Sequence, residues 1–188
     1  GDQGPTVTPS APLQADLEEV FAAVRASSVE NLLLQDCDLH GANGAPAGAP
    51  YVFTGLWGAP GADFDHVSAR LHRCHSEGGY GDDFTERPGG PGARLNASHI
   101  EAIGSEFVGG AGATPFAGHY CGSHNPRAGN GGEGLSVENG STAQLRDSEL
   151  TPGLQGPWYG SGSICTEQSG HDGLPTNDPA AMTYRRGL

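Results

Sequence analysis

The pattern that decides the fold occurs first in the stretch Leu32-Leu33-Leu34-Gln35-Asp36-Cys37-Asp38-Leu39-His40-Gly41. Its template is apolar, any, apolar, two further residues, Cys or Ser, any, large apolar, any, Gly or Pro. Three later stretches follow the same template and start at Ala69, Ile100 and Ala143. The copy that starts at Ala69 departs once, because Ser76 stands where the other copies have a large apolar residue. The four copies indicate one structural unit repeated along the chain.

Each copy predicts a strand, a bend and a second short strand. Alternate residues of a strand point to the same face, so the apolar positions of a copy share one side. One unit cannot bury that row alone, whereas units stacked about 4.8 Å apart share a continuous core and pair their backbones. The copies start 37, 31 and 43 residues apart, and uneven connections leave stacked strands intact. The small polar position then forms an internal column of Cys37, Cys74, Ser105 and Ser148.

A short apolar piece precedes each copy. The four pieces end at Val24, Phe64, Leu95 and Val137, and the stretches between copies, such as 41–50 and 88–92, are rich in Gly, Pro and Asn and read as loops. The pattern predicts one domain over residues 13–166. Residues 1–12 and 167–188 have little periodicity and are predicted to be an extended N-terminal arm and an extended C-terminal tail.

Two stretches also fit a helix. Leu13, Leu17, Val20, Phe21 and Val24 have helical spacing, and Asp16 with Glu19 offers a capping box, so a short helix capping the open end of the stack is expected there. Phe64, Val67, Leu71 and Cys74 also lie at helical spacing, and a helix at that place would remove the second coil.

One stretch of the chain resembles a known repeat. It reads Gly134-Leu135-Ser136-Val137-Glu138-Asn139-Gly140-Ser141-Thr142-Ala143-Gln144-Leu145-Arg146-Asp147-Ser148-Glu149-Leu150-Thr151-Pro152-Gly153. Such an order of turns and strands is typical of the right-handed β-helix families, which include the pectin-lyase-like proteins and the repeats of polymorphic outer-membrane proteins. The likeness extends over residues 20–153 and implies an all-β fold, a short right-handed parallel β-helix of about four to five coils with long Gly/Pro-rich loops. Those families usually have more coils, so we expect a fragment of a longer protein or a chain that stacks against others.

Composition narrows the classes of partner. The net charge is −13 and the chain has no lysine, which argues against binding a nucleic-acid backbone or an anionic membrane surface. No apolar run approaches the ~20 residues needed to span a bilayer. The four cysteines and the sequons at Asn96 and Asn139 predict an extracellular glycoprotein whose signal peptide has been removed.

The cysteines allow several interpretations. Cys37 and Cys74 hold the same place on adjacent coils, at a spacing that suits a disulfide, so we expect Cys37–Cys74 and, by elimination, Cys121–Cys165. The alternative is a column of buried free thiols. A zinc site from the two Cys-x-x-His pairs, Cys37 with His40 and Cys121 with His124, is a weaker reading. A haem site at Leu71–His75 with Met182 as axial ligand lacks the first cysteine of the attachment motif, and no metal or cofactor is expected.

The outward row of the template carries charged groups. Asp38, Glu106 and Glu149 align there with His75, and a neighbouring row holds Asp36, Arg73 and Asp147. Outward charges on a sheet are usually a solvated face, and no Gly-x-Ser-x-Gly nucleophile motif is present. We therefore expect a structural or adhesive extracellular module that associates with itself or with extracellular proteins and glycans. The alternative is a secreted polysaccharide lyase or hydrolase that uses this row, by analogy with enzymes of the same fold.

Overall fold

The computed structural model describes residues 22–44, 57–81, 87–113, 128–156 and 171–185. This part of the chain is all-β, and its strands form three parallel sheets that the chain visits in turn. The first sheet contains β1 (Val24–Ser27), β4 (Ala62–Asp65), β7 (Ala93–Asn96) and β10 (Leu135–Glu138). The second contains β2 (Leu32–Gln35), β5 (Ser68–His72), β8 (His99–Ile103), β11 (Thr142–Arg146) and β13 (Met182–Arg185). The third contains β3 (Asp38–His40), β6 (His75–Glu77), β9 (Glu106–Val108) and β12 (Glu149–Thr151).

This architecture is a parallel β-helix of about four coils, as the repeat predicts. Residues 171–185, within the predicted tail, lie against the fourth coil: Thr176 bridges to Leu135, and β13 pairs with β11 after a short 3-10 helix at Pro179–Ala181. None of the helical structure in the described ranges is long and apolar enough to cross a membrane.

The register of the four copies is confirmed. Leu32 pairs with Ala69, Ala69 with Ile100, and Ile100 with Ala143, so all four starting residues stack in one column. The preceding apolar pieces form the first sheet, where Phe64, Leu95 and Val137 stack as expected. Their partner on the first coil is Ala26, two residues past Val24, and Val24 itself pairs with Ala62.

The helix considered over Phe64, Val67, Leu71 and Cys74 does not form. Phe64 lies in β4 and Leu71 in β5, and the corner between these strands holds Val67. Strand pairing of the second coil with both neighbours outweighs the local helical spacing. Of the predicted N-terminal helix, Val24 belongs to β1, and the rest lies outside the described residues.

The core lies between the three sheets and is closely packed. Phe64 and Phe107 are fully buried, one on the first sheet of the second coil and the other on the third sheet of the third coil. Ser76, which departs from the template, is also fully buried and donates a hydrogen bond from Oγ to the carbonyl of Gly92. The coil that holds Phe64 on its first sheet therefore has a small residue on its third sheet, whereas the next coil has Leu95 and Phe107 at these places.

The corner between the second and third sheets explains the column of small polar residues. Asp36, Arg73, Gly104 and Asp147 have positive φ angles between 49° and 58° in the four coils. The residue that follows each of them belongs to the predicted column, which consists of Cys37, Cys74, Ser105 and Ser148. The Oγ of Ser105 accepts from the backbone N–H of Cys74 at 3.1 Å, and the Oγ of Ser148 accepts from that of Ser105 at 3.1 Å. Small polar residues are required here because the turn leaves backbone donors inside the coil.

Cys37 and Cys74 are free thiols in this structure, and Cys74 is buried at 3% exposure. Burial raises the pKa of the Cys74 thiol. The two residues are stacked on adjacent coils, as predicted, while the disulfide between them stays a prediction. Cys121 and Cys165 lie outside the described residues.

The glycine-rich stretches form an ordered layer where the sequence predicts loops. Their described parts enter and leave each coil side by side, and one residue of each segment joins a continuous hydrogen-bonded chain with donor–acceptor distances of 2.8–2.9 Å. This chain runs through Ala42, Ala59, Gly79, Gly90, Gly110, Gly132, Gly153 and Gly173. Backbones approach so closely that a Cβ at Gly110 would overlap the carbonyl oxygen of Gly79. Glycine is needed in this layer for close approach rather than for turning.

Candidate functional site

The third sheet brings the predicted outward residues into one row. Asp38 pairs with His75, His75 with Glu106, and Glu106 with Glu149, so the four lie side by side on successive coils. Backbone pairing holds β6 and β9 on both sides and β3 and β12 on one side among the described strands, which gives the row a rigid base.

A second outward row, two residues further along each strand, adds His40 and Glu77. We call Asp38, His40, His75, Glu77 and Glu106 the imidazole–carboxylate cluster. His40 Nε2 lies 2.9 Å from Asp38 Oδ1, and His40 Nδ1 lies 3.0 Å from Glu77 Oε2. His75 Nδ1 lies 3.0 Å from Glu106 Oε2, and the two imidazole centroids are 5.7 Å apart.

The negative charge around His40 changes its protonation. The hydrogen bond that His40 donates to Asp38, followed by the charge of Asp38 and by Glu77, raises the pKa of His40 above the ordinary value of 6.5. A group whose pKa is raised on folding stabilises the fold below its unfolded pKa and loses this contribution as the pH rises through its folded pKa.

We expect His40 to titrate above pH 6.5, and the substitution Asp38→Asn to lower its pKa because the largest cause of the shift is removed. The measurement is a pH titration followed by the NMR shifts of the imidazole protons. The substitution Asp36→Asn, at the corner before β3, is the control and should leave the His40 titration in place. An unchanged His40 pKa in Asp38→Asn would contradict this view of the cluster.

The neighbouring predicted row, Asp36, Arg73 and Asp147, lies at the corner of the coil. Arg73 donates to both oxygens of Asp36, at 2.6 and 2.8 Å. These hydrogen bonds, with one from Gln35, lower the pKa of Asp36 to about 2. This pair ties the first coil to the second and leaves Asp36 ionised at neutral pH.

The corner between the first and second sheets carries a shallow groove of about 410 Å³. Imidazole, amide and hydroxyl groups line it, among them His66, His99, Asn139 and Thr142. Such mixed donors and acceptors suit a polar ligand.

Both predicted sequons lie at this corner. Asn96 donates from Nδ2 to Asp65 at 2.7 Å and accepts from Asn139 on the next coil. Ser98 and Ser141 are buried and accept backbone N–H donors from Val67 and Ser98, respectively. The serine of each sequon thus has a structural role in the corner, and glycosylation at Asn96 and Asn139 stays a prediction.

The structure describes one of the two Cys-x-x-His pairs that were considered as zinc ligands. Cys37 donates to the carbonyl of Gln35 from within the corner column, whereas His40 lies on the outward face of β3, so the two side chains do not converge. Cys121 and His124 lie outside the described residues. Cys74 is buried, while His75 points outward into the cluster, so the Cys-His pair of the haem reading is divided between two faces.

Glu77 was not among the predicted site residues, and His40 was considered only as a zinc ligand together with Cys37. The signal was present in the two stretches Asp38-Leu39-His40 and His75-Ser76-Glu77, because residues two apart on a strand share a face. The template aligned the outward position of Asp38 and His75, but the next outward position, of His40 and Glu77, was not compared between the copies.

Comparisons with known proteins add nothing to this geometry. No family model, no curated protein and no solved structure matches the chain.

Proposed function

We propose that the chain is an extracellular structural or adhesive glycoprotein module that assembles by stacking its coils end to end with further copies of itself. The observation that carries the proposal is the incomplete burial of the inward rows at both ends of the described coils. The two sequons and the even number of cysteines support the extracellular setting.

The first coil presents an apolar row at one end. Val24, Ala26, Leu32 and Leu34 are only partly buried, whereas their partners in the second coil are fully buried. A further coil in register would cover these side chains and pair the edges of β1 and β2 that no described strand occupies.

The last described layer presents a matching row. Met182 and Tyr184 continue the columns of Ala143 and Leu145, and Tyr184 is 58% exposed. Both ends therefore have the same spacing of inward residues and the same strand direction. A head-to-tail contact of this kind does not close on itself and builds filaments.

We also propose that the chain is related to the right-handed β-helix families that its sequence resembles. Right-handed coiling, as in the pectin-lyase-like proteins and the repeats of polymorphic outer-membrane proteins, is supported by the strong right-handed preference of parallel crossover connections. An adhesive role is supported by the polar groove at the first corner, whose imidazole and amide groups suit the hydroxyls of a glycan.

We expect the full chain to show a mass that rises with concentration, and Tyr184→Arg to weaken the association at least about tenfold, which is about 1.4 kcal/mol. The added charge would have to be buried in the contact. Sedimentation equilibrium measures both. Physiological salt is used because the net charge of −13 repels copies at low ionic strength.

Tyr80→Arg is the matched control. Tyr80 is 49% exposed and lies in the glycine-rich layer after β6, between the two ends of the stack. A chain that stays monomeric at all concentrations would overturn the proposal, as would equal weakening by Tyr80→Arg and Tyr184→Arg.

A secreted carbohydrate-active enzyme is the second candidate, favoured by the row of Asp38, His75, Glu106 and Glu149 on the third sheet. Among the described glutamates, Glu133 has its pKa raised by burial, and it belongs to the segment before β10 and not to this row. Polysaccharide cleavage that Glu106→Gln abolishes would favour the enzyme over the structural module.

A further inference from the structure

The imidazole–carboxylate cluster contains a set of metal ligands that the repeat places on two adjacent strands. Asp38 and His40 are two residues apart on β3, so both point outward, and His75 is the direct neighbour of Asp38 on β6. Ligand atoms of these three residues all lie within 4.8 Å of one another.

We propose that Asp38, His40 and His75 bind a divalent transition-metal ion of the zinc class on the outer face of the third sheet. Zinc bonds of about 2.0–2.2 Å at tetrahedral angles separate neighbouring ligand atoms by roughly 3.4 Å. The ligand atoms now lie from 2.9 Å (Asp38 Oδ1 to His40 Nε2) to at most 4.8 Å apart, so the side chains would rotate to reach this value while the strands keep their positions.

The remaining two members of the cluster orient the imidazoles. Glu77 lies at Nδ1 of His40, and Glu106 at Nδ1 of His75, each at 3.0 Å. A carboxylate at Nδ1 holds the proton there, which is the usual outer arrangement of zinc-bound histidine. At Nε2 of His40, the metal would replace the proton that this nitrogen shares with Asp38. Both rings have this partner, and each partner comes from the strand one coil further on.

The ligand types select the metal. Two imidazole nitrogens and one carboxylate suit zinc, nickel or copper, whereas calcium needs six to eight oxygens and magnesium retains several waters. Three protein ligands leave a fourth position, which on this exposed face would hold water or a donor group from another molecule. The site shares His40 with the pair Cys37-x-x-His40, but Cys37 itself faces the corner column and is not one of the ligands.

The test is a zinc titration of the full chain by competition with a chromophoric chelator. Wild type should bind zinc, and His40→Ala and His75→Ala should each weaken this affinity. Loss of an outer hydrogen-bond partner weakens metal affinity about 10–100-fold, and loss of a ligand should weaken it at least as much. Glu106→Gln keeps the side-chain shape and should weaken binding by about 10-fold. Circular dichroism shows whether each variant is folded, and substitutions at these outward-facing positions are expected to leave the fold intact.

Two control variants separate this site from others. His99→Ala removes an exposed histidine on the second sheet, and Cys37→Ser removes the thiol of the Cys-x-x-His pair; both should leave zinc affinity unchanged. Zinc-induced NMR shifts of the His40 and His75 imidazoles give a readout that does not depend on affinity. No zinc binding by wild type, binding that survives His40→Ala with His75→Ala, or binding lost in Cys37→Ser would overturn the proposal.

Discussion

Gly110→Ala is expected to lower the free energy of unfolding by about 3 kcal/mol or more, from overpacking together with the loss of neighbouring hydrogen bonds. Its N–H donates to the carbonyl of Gly90 at 2.8 Å, and its carbonyl accepts from Gly132 at 2.8 Å. An added Cβ would overlap the carbonyl oxygen of Gly79, so the segments on both sides must move apart. The gain of about 0.4–1 kcal/mol from a less flexible unfolded chain is smaller and does not change the sign.

Urea unfolding followed by circular dichroism measures this change. Gly104→Asn is the control, since Gly104 has φ +58° and the nearest side-chain atom, on Arg73, is 3.8 Å from a built Cβ. Asp36 and Asp147 occupy the equivalent corner in other coils with similar φ, and asparagine tolerates that conformation. If Gly110→Ala costs no more than Gly104→Asn, the glycine-rich layer does not contribute to stability in the way described.

Phe107→Ala is expected to cost about 3–5 kcal/mol in the free energy of unfolding. Phe107 is fully buried on β9, and its backbone is hydrogen-bonded into the third sheet between Ser76 and Leu150. Because the strands above and below are held by backbone pairing, the layer cannot collapse into the space left by the ring, and a cavity remains.

Val108→Ala is the control for this change, because Val108 follows Phe107 on the same strand and faces outward, half-buried. It should cost within about 0.5–1 kcal/mol. Equal effects of the two substitutions on the urea midpoint would contradict the assignment of inward and outward faces. Ser76→Ala is not a substitute for this control, since it removes the hydrogen bond to Gly92 as well as atoms.

The stack has consequences for how sites can arise on its surface. Each outward position recurs on the next coil at the strand spacing. Polar or charged side chains at equivalent positions of adjacent coils are therefore close enough to contact each other. The imidazole–carboxylate cluster arises in this way from β3, β6 and β9. The bidentate pair of Arg94 with Asp63, at 2.7 and 2.9 Å, does the same on the first sheet.

Much of the fold could be predicted because each repeat shows the alternation of inward apolar and outward polar residues within a short segment. Leu32, Ala69, Ile100 and Ala143 were aligned from the template alone, and so was the column from Cys37 to Ser148. A strand period of two and a recurring small residue at the corner need no knowledge of distant contacts. The same template placed Asp38, His75, Glu106 and Glu149 in one row.

The rest depended on contacts between coils. The helical spacing of Phe64, Val67 and Leu71 is a property of one segment, and it is overruled by pairing of β4 and β5 with strands on both sides. Gly79, Gly90 and Gly110 look like loop residues in sequence, and only the side-by-side packing of segments from different coils shows that they form a layer.

The amino-acid sequence by itself thus determined the all-β repeat, the inward and outward faces and the rows that stack, because these follow from the alternation of side chains within each unit. The tertiary structure decided the glycine-rich layer, the choice of strand over helix in the second coil, and the meeting of His40 and His75 with Glu77 and Glu106. The contacts of His40 with Glu77 and of His75 with Glu106 join residues 37 and 31 positions apart, and the hydrogen bonds of the layer also join different segments. These features therefore depend on how the coils stack and not on the pattern within one segment.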